Sequence, residues 1–151
     1  MTFRDALTAL SNLHVVNIQH NYDIDALPEA LTHPQLPALL VMPIDTQDDR
    51  LFKDQGDGLQ TIAFSGAGKT VNYTLTHLLI LAPTTSRKGI RSHLPELVTL
   101  IDNYMSALAT NPTLGTSLFQ PARVTAEPGI FEVGKRDFYG CAFRHNWVIR
   151  I

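Results

Sequence analysis

The chain has 151 residues, which fits one domain with a real hydrophobic core. Its net charge is −2, and Lys and Arg are scattered, paired only at Arg87-Lys88 and Lys135-Arg136; no basic stripe exists to neutralise a run of phosphates, so sequence-independent DNA binding is not expected. One cysteine, Cys141, rules out an intramolecular disulfide and a stapled secreted scaffold, and points to folding in a reducing cytoplasm.

The start, Met1-Thr2-Phe3-Arg4-Asp5, lacks the basic opening and apolar core of a signal peptide. Phe3, Ala6, Leu7, Leu10 and Leu13 recur at helical spacing and predict a first helix, with Thr2 as its N-cap and Asp5 near the positive end of its dipole. His14 to Ile18 is a short β-branched run and is expected to be a strand. A connector with Pro28, Pro34 and Pro37 follows, where no long regular element is expected. Ala38-Leu39-Leu40-Val41-Met42 reads as a buried strand closed by Pro43. From Asp45 to Gly58 the chain is polar and acidic, with Asp45, Asp48, Asp49, Asp54 and Asp57, and predicts a surface loop.

Gln60–Phe64 and Thr70–Leu81 are the next two strands, joined by a hairpin loop at Ser65-Gly66-Ala67-Gly68-Lys69. Val71, Tyr73 and Leu75 alternate with Asn72, Thr74 and Thr76, so this stretch has one wet face. Leu78 to Leu81 is apolar on both faces, so that end is expected to be covered on both sides. The same apolar run is far too short to cross a bilayer, which takes about 20 residues. Ser92 is expected to cap a second helix whose stripe is Leu94, Leu97, Val98, Ile101, Tyr104, Met105 and Leu108, ended by Asn111-Pro112. Two strands close the chain: Ala122–Ala126, and Tyr139–Ile151, with Pro128-Gly129 and Gly134-Lys135 expected to interrupt the excursion between them. The last strand carries Tyr139, Cys141, Phe143, His145, Trp147, Ile149 and Ile151 on one face. The sum is an α+β domain: a mainly antiparallel sheet of about four to six strands with two main helices packed on it. There is no internal repeat, linker or second domain.

No motif assembles a catalytic centre. Ala63 to Thr70 fits a relaxed phosphate-loop pattern with Ala63 at the first glycine, but such a loop needs a helix after it, and Val71 to Thr76 alternates as a strand. A nucleotide-binding enzyme using Gly66 to Thr70 is therefore the lesser alternative. Cys141 and His145 lie four residues apart on one strand, roughly 13 Å, too far for a nucleophile and its base; they read as a buried cysteine and a cross-strand histidine. The six histidines show no metal-ligand spacing, and the acidic loop has Arg50 where an EF-hand needs glycine. No Gly-x-Ser-x-Gly elbow is present. Neither a cofactor nor a metal is expected. A charged fraction of only 17% favours a protein that hides part of its surface against copies of itself or a partner.

Element order and character resemble the small tail-terminator and neck proteins of long-tailed bacteriophages and phage-like particles. The resemblance is carried by Tyr73 to Pro83, the helix Leu94 to Tyr104, Asn111-Pro112-Thr113-Leu114-Gly115, the ending Tyr139 to His145, and the upstream Leu36 to Val41. It covers most of the chain and rests on no short signature. It implies a non-enzymatic structural protein of the virion tail or neck, assembled in the host cytoplasm. Such a subunit forms a ring, usually a hexamer, that caps the tail tube protein, stops its polymerisation and joins the head-side connector or stopper. DNA passes through the ring without sequence-specific binding. Another head–tail adaptor or a tail-completion protein fits the same resemblance. Ring contacts would come from loops: the acidic Asp45, Asp48, Asp49, Asp54 and Asp57, the hairpin tip Ser65, Gly66, Gly68 and Lys69, and Lys135 and Arg136 in the excursion Pro128 to Asp137.

Overall fold

The computed structural model describes residues 3–42, 58–65, 68–85 and 89–150. Helix α1 spans Phe3–Ser11, and its spacing puts Ala6, Leu7 and Leu10 inward, fully buried. Burying each leucine contributes about 1.5–3 kcal/mol. The expected strand at His14–Ile18 does not form. Leu13 and Val15 are buried, but Asn17 takes a left-handed conformation (φ 70°) and the Ile18 N–H bonds back to the Val15 carbonyl, so the segment turns. Strand β1 comes later, at His20–Tyr22.

The remaining strands are β2 (Ala38–Met42), β3 (Gly58–Ser65), β4 (Gly68–Pro83), β5 (Arg123–Val133) and β6 (Arg136–Arg150); helix α2 (Gly89–Thr110) lies between β4 and β5. They form one sheet in the order β1-β2-β4-β6-β5, with β3 paired to β4 beyond the end of β2. The fold is α+β as expected, but the sheet is mixed. His20 pairs with Ala38 and Tyr22 with Leu40 in parallel, while every other pairing is antiparallel. The proline-rich connector, residues 23–37, is the cause. It is long enough to cross a sheet face and return the chain in the same direction.

That crossing also explains the two-sided apolar run in β4. Leu79 and Leu81 point to the helix-covered face, with Val71, Tyr73 and Leu75. Leu78 and Ile80 point the other way, into a second core with Ala38, Leu40, Phe131, Phe138, Ala142 and Leu31 of the connector. Along β6, Cys141, Phe143, His145, Trp147 and Ile149 face the helices and are buried, as their alternation predicts.

Two boundaries differ from expectation. Helix α2 begins at Gly89, so Ser92 lies inside the helix rather than capping it. Pro128-Gly129 does not interrupt the excursion: β5 runs through both residues and stays in register with β6. Because β5 is the last strand in the sheet order, a proline there need not deprive a second neighbour of a donor. Only Gly134-Lys135 breaks the hairpin, both with positive φ (61° and 67°), as a tight two-residue turn requires.

Candidate interface surfaces and a buried polar chain

The expected contact loops divide. Asp45, Asp48, Asp49, Asp54, Asp57 and Gly66 lie outside the described residues. Ser65 ends β3 and pairs with Gly68, and Lys69 pairs with Phe64; both Gly68 and Lys69 belong to strand β4. A strand, not a helix, therefore follows the glycine-rich segment, and the amides and dipole of a helix N-terminus are not supplied there. Lys135 sits in the β5–β6 turn and Arg136 opens β6, with its guanidinium 5.6 Å from the centre of the Phe138 ring. These two are hairpin residues rather than part of a long irregular loop. The tip is held against the connector: a Cβ at Gly134 would overlap the Glu29 carbonyl oxygen.

A different surface emerges on α2. Its buried line is Leu97, Leu100, Tyr104 and Leu108, so the helix is rotated relative to the stripe read from sequence. Leu94 and Val98, expected in the core, are 44% and 55% exposed, and Ile90 is 41% exposed. At four-residue spacing these three share one flank of the helix. The opposite flank is occupied, since the Asn103 side-chain amide donates to the Val16 carbonyl at 3.0 Å. On edge strand β5, Ile130 is 55% exposed as well.

The residues with chemical potential are inside. Trp147 Nε1–H donates to His145 Nδ1 at 3.1 Å, and His145 Nε2 lies 2.6 Å from the Tyr104 hydroxyl. That hydroxyl lies 2.8 Å from His77 Nδ1, and His77 Nε2 lies 2.8 Å from Asn21 Oδ1. The Asn21 amide nitrogen donates to the carbonyls of Leu10, in the last turn of α1, and Leu13, just beyond it, at 3.1 and 3.2 Å; the Leu10 carbonyl also accepts from the Leu13 N–H. Donor inventory fixes every direction. Indole N–H only donates, so His145 Nδ1 accepts and its proton sits on Nε2. His145 then donates to Tyr104, Tyr104 donates to His77 Nδ1, and His77 Nε2–H donates to Asn21. Carbonyls only accept, which fixes the orientation of Asn21.

Burial holds both rings neutral. His145 is lowered to about 3 by desolvation, and His77 is lowered well below its usual value by desolvation and then by His145. Tyr104 is raised by burial and stacks on Phe143 with centroids 3.7 Å apart. Cys141 is buried and pushed up to about 11 by desolvation, so its thiol stays protonated. No buried side-chain nitrogen or oxygen among the described residues lacks a partner. Sequence reasoning placed His145 and Tyr104 on the core faces of their elements but did not foresee the chain. The usable signal was polar residues at core-facing positions of β4, α2 and β6; Asn21 offered none.

Clefts open on the surface among the described residues. One of about 210 Å³ is lined by Leu27, Leu40, Met42, Leu78 and Val133 with Glu29 and Glu132. Another, about 270 Å³, is polar, with Asn72, Gln120, Arg123 and Asn146 in its wall. Both fall below the roughly 300–1,000 Å³ of small-molecule sites. Among the described residues no three His, Cys, Asp or Glu side chains converge as metal ligands, and no helix is long and apolar enough to cross a membrane. The chain matches none of the known family models and none of the curated proteins with which it was compared.

Proposed function

We propose that this protein is a non-enzymatic assembly subunit, a tail terminator of a long-tailed phage or phage-like particle that caps the tail tube as a ring, stops its growth and meets the head-side connector. The observation that carries this reading is a division of labour. The polar groups of the buried chain are used up in holding the fold together, while apolar side chains of α2 and β5 stand in water. Exposed apolar flanks fit a protein that works by contact. A ring needs two different surfaces per subunit, each meeting the other on the next copy. The flank at Ile90, Leu94 and Val98 is the first candidate for one of them. Another head–tail adaptor or tail-completion protein would use the same surface. The nucleotide-binding alternative loses support because Gly68 and Lys69 open a strand.

Mass by light scattering over a range of concentrations, with isolated tail tubes in a parallel sample, tests the proposal. A closed oligomer near six subunits, or a monomer that caps tube ends and halts their growth, is expected. A monomer at all concentrations that ignores tube ends overturns it. Binding to a portal complex instead of tubes selects the adaptor reading.

A further inference from the structure

The buried chain joins five pieces of the fold through side chains: the end of α1 through its carbonyls, β1 through Asn21, β4 through His77, α2 through Tyr104, and β6 through His145 and Trp147. Its direction is imposed from one end by a group that can only donate. An added proton on His145 has one place to go, Nδ1, where it meets the Trp147 N–H head-on across 3.1 Å. An added proton on His77 goes to Nδ1 and faces the Tyr104 hydroxyl; that hydroxyl then receives N–H groups from both rings and its own hydrogen has no acceptor in the chain.

We propose that this chain is an acid-sensitive latch on the helix layer: protonating His145 sets donor against donor, protonating His77 leaves the Tyr104 hydroxyl hydrogen without an acceptor, and either change undocks α2 and the end of α1 from the sheet.

The surroundings offer no compensation. The ionisable groups facing the rings are the other histidine, with ring centroids 6.2 Å apart, Tyr104 from α2, and Cys141 from β6, which acts on Tyr104. From α1 and β1 the chain meets only carbonyls and the amide of Asn21. Asp23 and Asp25, the carboxylates that follow Asn21 in sequence, are engaged by Thr8 and Arg4, and Asp102 of α2 is exposed. Once undocked, α2 presents Leu97, Leu100, Tyr104 and Leu108 beside the already exposed Leu94 and Val98, which turns a narrow apolar flank into a broad one.

The sign follows from linkage. Both rings have folded values below the unfolded value of about 6.5, so their contribution is complete above that pH and is lost as pH falls towards the folded values. Each neutral histidine that must take up a proton on opening costs up to tenfold in the folding equilibrium per pH unit in that window. Trp147 is the single tryptophan and reports the latch directly by its fluorescence.

The test compares the wild type with H145Q and H77Q, whose amides accept on one side and donate on the other but cannot be protonated. Urea unfolding of each is followed by Trp147 emission from pH 8 to pH 4. The wild-type equilibrium is expected to fall more steeply with acid than that of either variant, by up to tenfold per pH unit for each histidine removed. Parallel slopes for all three overturn the latch. Should a glutamine variant not fold, ¹⁵N imidazole spectra of the wild type decide. Both rings neutral as the Nε2–H tautomer at pH 5, with loss of the native signal on further acidification, is expected. Either ring charging near pH 6.5 within the folded protein overturns the proposal.

Discussion

The two faces of the sheet are built on different principles. The helix-covered face mixes aromatic and aliphatic packing with the polar chain from Trp147 to Asn21, whereas the second core, behind Leu78 and Ile80, is apolar and covered by irregular chain. The helical face is specified by directional hydrogen bonds, each of which fails if a partner is displaced. The connector face is specified mainly by volume, with the Gln35 amide donating to the Tyr22 hydroxyl beside the apolar cluster, and the loss of an apolar side chain there is a matter of cavities. Substitutions on the two faces therefore differ in kind as well as size.

The largest effect is expected where both faces share one backbone contact. Gly140 of β6 pairs with Ile80, and a Cβ there would overlap the Leu79 carbonyl oxygen, next to the register shift between Ile80 and Ala82. Because the clash is with backbone at the middle of the sheet, no side-chain movement relieves it. Gly140→Val is expected to lose more than about 4 kcal/mol and to yield no cooperative unfolding transition in urea. On the connector face, Phe138 is fully buried against Leu78 and Ile80's cluster. Phe138→Ala is expected to cost about 3–5 kcal/mol, and the loss measured by urea unfolding should be the same at pH 8 and pH 6.

On the helical face, Tyr104→Phe keeps the ring stack on Phe143 and removes only the hydroxyl. His145 Nε2–H and His77 Nδ1 then lose their partner. Each orphaned buried group costs about 1–3 kcal/mol, so roughly 2–6 kcal/mol is expected by urea unfolding at pH 8. The loss should change with pH, unlike that of Phe138→Ala. Without the hydroxyl, a second proton on His77 Nδ1 no longer displaces a donor. A loss independent of pH for both variants would erase the distinction between the faces.

How much of this was legible depends on whether the information is local. The double-sided apolar run Leu78 to Leu81 foretold a covered second face, because period-2 geometry leaves no other use for such a run. The alternation in β6 foretold its buried side. What covered the second face was not legible: Leu27, Leu31 and Leu36 are spaced irregularly among prolines and carry no period. The rotation of α2 was hidden for a related reason. Leu94, Val98 and Leu100 are all apolar, and only the placement of the helix over β4 and β6 decides that Leu100 goes in while the other two stay out. The polar chain is the extreme case, since Asn21, His77, Tyr104 and His145 meet across 124 positions of sequence that no periodicity connects. His14 to Ile18 misled because its β-branched residues match a strand while one left-handed Asn17 turns it.

The smallest effect on stability is expected on the exposed flank of α2, where it says most about function. Val98 is more than half exposed in the isolated chain, and glutamate is a good helix former at such a site. Val98→Glu, alone or with Leu94→Glu, is therefore expected to leave urea unfolding within about 0.5 kcal/mol of the wild type. If the flank is buried between subunits, the same change places an unpaired carboxylate in an apolar contact, which association does not tolerate. Loss of the oligomer, or of tube-end capping, by a variant of unchanged stability would assign the flank to the contact surface. An oligomer of unchanged mass and strength would remove it, and the search would move to β5 around Ile130, where a large apolar side chain meets water on a strand that ends the sheet order of the described residues.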